Sequence, residues 1–483
     1  MSRQTRVGVG VVGAALALGV LGDWLFQGQA LGVNVPLWIL AFGAVLAALL
    51  ALARAPLHQG RRVMAVPLAV FGALFAWHDS PLLVAANLLA LAGAVALGAL
   101  RRADLRLRLA GVLDYAGGLV AAGAAAASGP FPVLERDIEW SELRTAAGGG
   151  RLAAVARGAA VGAPLVVVFG GLFVAADAVF KSFVTSAIPS VGGLPLRAAV
   201  VLAVAWLSMG LLRDLVTARE EDRVVSAAGI ADRPIRRSLG AAELVVALGL
   251  VDLVFLAFVV VQLRYLFGGH ALVQSRAHLT YAQYARHGFF ELAAVAVLVL
   301  PLLLGADALF RRTRPSHERL FRLLAGVLLL LLAVVMASAL QRMRLYEHEY
   351  GLTELRIYVT GVILWLAAVF LWFGLTVLRG GRRRFAVGAL VAGFAATLAL
   401  NVLNPDALIA RVDVSRPHVD VAYLAGLGDD AVPTLVARLD SLPPPLGERL
   451  RAALAARSPA QGWRSWTVSR GRAESALARI RGS

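Results

Sequence analysis

The sequence predicts an all-α protein, a polytopic bundle of transmembrane helices with a small helical soluble tail. Between residues 7 and 402, about a dozen apolar stretches approach the roughly 20 residues that a helix needs to cross a bilayer. Hydrophobic residues make up 59% of the chain and charged residues only 16%. A backbone in lipid must satisfy its hydrogen bonds within its own segment, so apolar runs of this length predict helices.

Arginine-rich connectors follow every second apolar stretch and predict the topology. Assigned to the cytoplasm by the positive-inside rule, they predict a multi-pass protein of the cytoplasmic membrane, with the N-terminus inside and the tail outside. Residues 108–127 would break this alternation as a full span, so we predict an interfacial or re-entrant segment there. Eleven spans are predicted, near residues 7–26, 33–53, 63–77, 81–100, 159–180, 196–216, 241–265, 288–308, 319–341, 355–378 and 384–402.

Four regions follow from this pattern. They are N-terminal membrane helices at 1–127, a polar linker at 128–157, C-terminal membrane helices at 158–402 and a soluble tail at 403–483. In the tail, Asp429 and Asp430 are predicted to cap a helix that has Pro433 in its first turn, and residues 446–456 are predicted to be helical. A tail of this size can bury little apolar surface alone, so we expect it to pack on the membrane helices.

Composition also excludes several function classes. The net charge of +17 comes from arginines that the positive-inside rule already explains, so no nucleic-acid partner is predicted. The absence of cysteine excludes disulfides, thiolate catalysis and zinc–thiolate sites. Gly8, Gly10 and Gly13 have the spacing of a dinucleotide-binding loop but no preceding strand. We therefore interpret them as helix-packing glycines and predict no cofactor.

A group of arginines and tyrosines on the predicted outer side suggests a ligand site. Planar guanidinium groups bind phosphate or carboxylate in bidentate fashion, and tyrosines favour the bilayer interface. An anionic lipid headgroup or a lipid-linked phosphate would suit this combination. The predicted ligand-binding residues are Arg286, Arg342, Arg344, Arg356, Tyr284 and Tyr346, with Glu291 as a candidate base.

A scaffold interpretation of the same residues stays open. Arginines and acids in loops commonly form ion pairs that fix those loops, and tyrosines anchor helices at the interface. The histidines on this side, including His348, do not form an i, i+4 pair or an HExxH motif, so no metal site is predicted.

Asp252 lies near the centre of an apolar stretch and suggests a different function. An ionised carboxylate there costs roughly 2.5 to 3.5 kcal/mol on insertion scales, so Asp252 should face the bundle interior. A proton-coupled transporter would use such a group, and a structural hydrogen bond to another helix would explain it equally well. Asn87 and Asp114 are the candidate partners.

Several stretches resemble one family of bacterial membrane proteins. These stretches are FVVVQLRYLFGG from residue 258, TYAQYARHGFFEL from 280, RMRLYEHEYGLTELR from 342, NPDALIARVDVSR from 404 and WRSWTVSRGR from 463. In this order, over residues 150–483, they resemble the proteins grouped as DUF4173, close to DUF4153. The resemblance implies a membrane fold, and it carries no catalytic residue because the family has no assigned function.

Three functions therefore remain open. The first is an outward-facing site that binds or modifies an anionic lipid or a lipid-linked envelope precursor. The second is an ion- or proton-coupled transporter that uses Asp252. The third is a non-catalytic sensor or scaffold whose protein partners the sequence does not identify.

Overall fold

The computed structural model describes residues 1–55, 59–99, 112–142, 194–216, 240–267, 289–310, 314–416, 419–457 and 462–482. All regular secondary structure in these ranges is helical. Nine of the described helices are long and apolar enough to cross a membrane, which confirms the polytopic helical fold. The span predicted at residues 159–180 lies outside the described residues.

Six of the described helices form the N-terminal group. They are α1 (Arg3–Phe26), α2 (Asn34–Ala53), α3 (Gln59–Leu74), α4 (Pro81–Ala99), α5 (Val112–Ser128) and α6 (Leu194–Val216). α1 packs against α2 and α6, while α3 packs against α4. α3 has 16 residues and ends at Leu74, three residues before the predicted end of this span at residue 77.

Five of the described helices form the C-terminal group. They are α7 (Ala241–Phe267), α8 (Phe289–Leu309), α9 (Pro315–Tyr350), α10 (Glu354–Thr376) and α11 (Phe385–Leu403). Their facing apolar side chains form the largest core of the protein. α11 contacts α10 and also α4, where Gly93 lets Leu390 and Phe394 approach closely. α11 therefore joins the two groups of helices.

α9 corrects one prediction. Its 36 residues continue past the predicted end near residue 341, so most of the predicted outer connector is helical. At 1.5 Å per residue the helix is about 54 Å long, and a bilayer core measures about 30 Å. The final turns, with Arg342, Arg344 and Tyr346, must therefore project beyond the hydrocarbon.

The described residues of the tail contain five helices, and their core also includes Ile357 of α10. They are α12 (Pro405–Asp413), α13 (Val421–Gly426), α14 (Val432–Arg438), α15 (Pro444–Ala455) and α16 (Val468–Arg481). The prediction that Asp429 and Asp430 cap a helix is wrong. α14 begins after Ala431 with no side-chain cap, because both carboxylates bind other partners.

The tail packs on the turns that connect the membrane helices, as expected. Val33 N donates to Trp466 O at 2.9 Å, and Val468 N donates to Ala76 O at 2.9 Å. Beyond α9, Leu352 N donates to Asp413 Oδ1 at 3.0 Å. The α1–α2, α3–α4 and α9–α10 turns therefore lie on one face of the bundle, which we call the tail face. Which side of the membrane it occupies stays a prediction.

α5 enters from the opposite face and turns back. Its first turn packs Tyr115 against Leu97 near the end of α4, whereas its last turn accepts a hydrogen bond from Trp206 in the middle of α6. The chain then bends by 46° and returns through a short helical turn (Pro130–Pro132) and a π-helical turn (Val133–Asp137). There Arg213 Nε donates to Asp137 Oδ2 at 2.6 Å. Of the two predicted paths, these contacts favour the re-entrant one.

Candidate functional site

The predicted ligand Arg356 lies in the first turn of α10, and its guanidinium stabilises the C-terminal end of α9. Its guanidinium lies 4.1 Å from the centroid of the Tyr346 ring. It donates hydrogen bonds to the carbonyl oxygens of Tyr350, at 3.4 Å, and Gly351. The last carbonyls of a helix lack helical partners and carry partial negative charge, which a cation satisfies. Arg356 therefore has a structural role here.

The tail also bonds to the C-terminal end of α9. Arg416 donates to the carbonyl oxygens of Glu347, at 3.2 Å, and His348. Asp413 accepts from Leu352 N, and burial raises the pKa of the Asp413 carboxyl above its usual range. Two arginines from different elements thus close one helix terminus, as the scaffold interpretation expects.

The predicted ligand set is only partly assembled in the described residues. Arg344 is exposed and Arg342 is half-buried on the projecting end of α9. Arg286 and Tyr284 lie outside the described residues, as does the side chain of Glu291. The structure brings Arg356 and Tyr346 together, and a lipid role for the set stays a prediction.

Asp252 is buried in α7, facing the bundle interior as predicted. Neither of its carboxylate oxygens has a hydrogen-bond partner among the described residues. The predicted partner Asn87 is wrong, because Asn87 and Asn401 exchange hydrogen bonds of 3.2 and 2.9 Å between α4 and α11. The side chain of the other predicted partner, Asp114, lies outside the described residues.

Sequence reasoning missed a second group of polar residues, buried where the tail meets the bundle. Carboxyl groups converge there from the α3–α4 turn, the start of α10, the start of α12 and the α13–α14 turn. We call this group the carboxyl junction, and its acids are Asp79, Glu354, Asp406, Asp429 and Asp430. The cations that contact these acids in the described residues are Arg457 and Arg470, and His78 is the imidazole beside them.

A strained turn places Asp406. Asn404 ends α11 with a φ of 51°, a left-handed conformation that asparagine tolerates better than most residues. Its side-chain oxygen accepts from Ala407 N at 3.3 Å, and Pro405 occupies the first turn of α12. Asp406 then points inward, only 1% exposed, and accepts from Gly428 N at 3.2 Å.

The α3–α4 turn supplies the next part of the junction. His78 Nδ1 lies 3.0 Å from both carboxylate oxygens of Asp430, and Asn404 also donates to Asp430 at 2.9 Å. Ser80 Oγ lies 3.3 Å from the hydroxyl of Tyr358 on α10. This turn is therefore bonded to the tail and to the C-terminal helix group.

Two arginines of the tail complete the junction. Arg457 Nη1 donates to Asp429 Oδ1 at 3.1 Å. Arg470 Nε lies 3.9 Å from a carboxylate oxygen of Asp79 and equally far from one of Asp429. Since five carboxyls face two guanidinium groups, full ionisation would leave uncompensated negative charge in a buried place.

Burial and like charges raise two pKa values in the junction. Burial, with Asp429 hydrogen-bonded beside it, raises the pKa of Asp79 from 3.8 to about 7. Burial, with Glu354 hydrogen-bonded to it, raises the pKa of Asp406 from 3.8 to about 8. Carboxyl groups in such surroundings hold protons at neutral pH. Strongly perturbed groups of this kind are typical of functional sites.

A groove on the tail lies between α14 and α16 and has a volume of about 890 Å³. Its floor is apolar, with Val436, Val468, Ala476 and Ile480. The groove is also lined by Trp466 and by three arginines, Arg451, Arg472 and Arg479.

Comparisons with known proteins identify a family and no activity. A protein-family model described as "Domain of unknown function (DUF4153)" matches residues 65–437, well over half of the chain. The match begins in α3, so it includes part of the N-terminal group of helices. The predicted closeness to DUF4153 agrees with it, and the DUF4173 label stays a prediction. No curated protein and no solved structure matches the chain.

Proposed function

The chain belongs to the DUF4153 family, and from that premise we propose that it binds an anionic amphiphile at the membrane surface, a phospholipid or a lipid-linked phosphate. The groove between α14 and α16 is the binding site. The observation that carries the proposal is the combination of an apolar floor with free arginines beside the interfacial tryptophans of the tail face.

The charges of the groove suit a phosphate group. Arg451 forms an exposed ion pair with Asp440, 3.3 Å apart. Arg472 and Arg479 are exposed and form no ion pair or hydrogen bond with any described residue. A guanidinium binds phosphate through two parallel hydrogen bonds, and an exposed one loses little hydration before it does so.

The position of the groove suits a molecule that comes from the bilayer. Trp466, which lines one end, is bonded through its carbonyl to Val33 at the start of α2. Trp463 packs against Trp24 at the end of α1, with ring centroids 5.6 Å apart, and all three tryptophans are exposed. Exposed tryptophans at the ends of membrane helices mark the headgroup level. An acyl chain on the apolar floor would thus continue from the bilayer, with its phosphate at the arginines.

A matched pair of double variants tests the site. Arg472→Ala with Arg479→Ala removes two charges from the groove, and Arg438→Ala with Arg449→Ala removes two exposed charges of the tail outside it. The full chain in detergent is titrated with phosphatidylglycerol and with phosphatidylcholine of the same acyl chains. Binding is measured by native mass spectrometry.

We expect the groove variant to bind phosphatidylglycerol at least about tenfold more weakly, because a charge-assisted hydrogen bond contributes about 1.5 to 3 kcal/mol. The control variant should bind like the wild type. Displacement of the lipid by inorganic phosphate would assign the site to free phosphate, and equal losses in both variants would overturn the proposal. The sequence also predicts a further step, modification of the bound lipid with Glu291 as the base. In Glu291→Gln we expect lipid binding to be retained and the product to be lost.

Proton-coupled transport is a second candidate, favoured by the burial of Asp252 without a described partner. Asp252→Asn removes the proton site, whereas Glu243→Gln, exposed at the start of the same helix, is the matched control. In liposomes with an internal pH dye, we expect proton flux to be lost in the first variant only. Equal flux in both variants would eliminate this candidate.

A further inference from the structure

We propose that the carboxyl junction is a proton-binding site that locks the tail onto the membrane helices. Two pairs of carboxyls are in direct side-chain contact, Asp406 with Glu354 and Asp79 with Asp429. Each pair joins the tail to a turn or a helix start of the bundle. The proposal concerns the docking of the tail and does not depend on what the groove binds.

The Asp406–Glu354 pair requires a proton for chemical reasons. Asp406 Oδ1 is completely buried and receives no hydrogen bond from an N–H or O–H donor of the described residues. The group beside Asp406 is another carboxyl, that of Glu354. A carboxylate can only accept, so two carboxyls bond to each other only if one of them is protonated. One proton shared between the two carboxyls provides the donor that they lack and removes the charge repulsion.

The Asp79–Asp429 pair has the same chemistry with partial compensation. Arg457 binds Asp429 directly, while Arg470 lies 3.9 Å from each of the two acids. Gly428 lies between the pairs, since a Cβ built there would overlap Asp406 Oδ2 and come within 3.4 Å of Asp79 Oδ1. The negative charge of each pair therefore raises the pKa of the other, and a proton on one pair lowers the pKa of the other.

Other polar side chains face these carboxyls from the elements of the junction. His78 and Ser80 face them from the α3–α4 turn, Tyr358 from α10, Asn404 from the end of α11 and Tyr423 from α13. Among the described residues, no cluster of three or more His, Asp or Glu side chains has the arrangement of a metal site. The arrangement therefore suits a proton.

The direction of the pH dependence follows from linkage. The pKa of Asp79 is about 7 and that of Asp406 about 8, both above the ordinary value of 3.8 that applies once the tail is undocked. Between these values the docked tail binds more protons than the undocked tail. Docking is thus strongest in acid and weakens as the pH rises through about 7 to 8.

Thiol labelling measures this docking, because the chain has no cysteine of its own. A Ser80→Cys sensor is 1% exposed beneath the tail, and a Ser441→Cys reference is exposed on the tail. The ratio of their maleimide labelling rates removes the effect of pH on the reagent and the thiol. We expect the ratio to rise with pH through neutrality, by up to about tenfold per pH unit for each carboxyl that loses its proton.

Three further variants identify the group responsible. Asp406→Asn should reduce the rise to the part that Asp79 contributes, and Asp440→Asn, a fully exposed tail acid, should leave the rise unchanged. His78→Gln separates the imidazole from the carboxyls, since imidazoles as a class also change charge between about pH 5 and 8. We expect this variant to retain the rise, because we assign the rise to the carboxyls. Loss of the rise in His78→Gln would overturn the proposal, as would a ratio that responds to calcium chloride instead of pH.

An infrared measurement keeps the test independent of any folding defect in the variants. The wild-type chain in nanodiscs should lose a protonated-carboxyl C=O band between about pH 6 and 9, where exposed acids are already ionised. Asp440→Asn should show the same loss. A wild-type spectrum without this band at the lower pH would contradict the shared protons directly.

Discussion

Replacing Gly32 by alanine should detach the tail from the α1–α2 turn. A Cβ at Gly32 would lie 2.6 Å from Ser465 O and 2.7 Å from Trp466 O, which are backbone atoms of the segment that leads into α16. These atoms cannot move as a flexible side chain could. The neighbouring bond from Val33 N to Trp466 O would have to lengthen or break.

The expected cost is the sum of two terms. Overpacking by one methyl group costs about 1 to 3 kcal/mol, and the lost hydrogen bond costs about 0.5 to 1.5 kcal/mol. Together they weaken docking by about 1.5 to 4.5 kcal/mol, or roughly ten- to a thousandfold in the docking equilibrium.

Hydrogen–deuterium exchange detects the change where docking protects the backbone. The amides of Val468 and Ser469 bond to the carbonyls of Ala76 and Trp77, so they exchange only when the tail opens. In Gly32→Ala they should exchange faster by the factor given above. Gly43→Ala is the matched control, because nothing lies within 4 Å of its Cβ. Unchanged protection in Gly32→Ala would refute the account of docking.

Three further predictions concern the membrane helices and the junction. Arg213→Ala should destabilise the protein by about 3 to 5 kcal/mol, because it leaves a buried carboxylate alone, whereas Arg451→Ala, whose partner Asp440 is exposed, should cost far less; thermal unfolding compares the two. In a double-mutant cycle, alanine at Asn87 and Asn401 should show a coupling of about 0.6 kcal/mol, typical of hydrogen bonds between membrane helices, and a coupling of zero would contradict the pair. The unfolding temperature of the wild type should fall as the pH rises from about 6 to 9, and Asp79→Asn should reduce that fall, since the native state binds the extra proton.

Hydropathy predicted the membrane helices because burial in lipid imposes one requirement on every span. It did not predict the end of α9, since the apolar run ends near residue 341 and the helix continues to Tyr350. Those turns are stabilised by Arg356 and Arg416, which act from other elements. A contact between distant elements leaves no periodic signal in the sequence.

The carboxyl junction was hidden for the same reason. His78, Asp79 and Ser80 form a run of three polar residues between two apolar helices, and this run was the one local sign of a site. Asp430, the partner of His78, lies 352 residues from it along the chain. Beside Pro433, Asp429 and Asp430 have the appearance of helix caps, and only the packing of the tail shows their real partners.

Proton binding and ligand binding should be linked through Arg470 and Trp466. Arg470 contacts the acids of the junction through its Nε and donates to the carbonyl of Leu31, while four residues earlier Trp466 lines the groove. In the proposed arrangement, the groove meets the bilayer only while this segment is docked on the α1–α2 turn. A ligand that needs the docked tail must therefore favour protonation of the junction, and by reciprocity protonation must favour the ligand. Phosphatidylglycerol should accordingly bind more weakly as the pH rises through about 7 to 8 in the wild type, and this dependence should be reduced in Asp406→Asn, where the Asp79 carboxyl still titrates. A lipid affinity that stays constant with pH, while the labelling ratio at Ser80→Cys changes, would contradict this linkage. It would show that lipid binding in the groove does not depend on proton binding in the carboxyl junction.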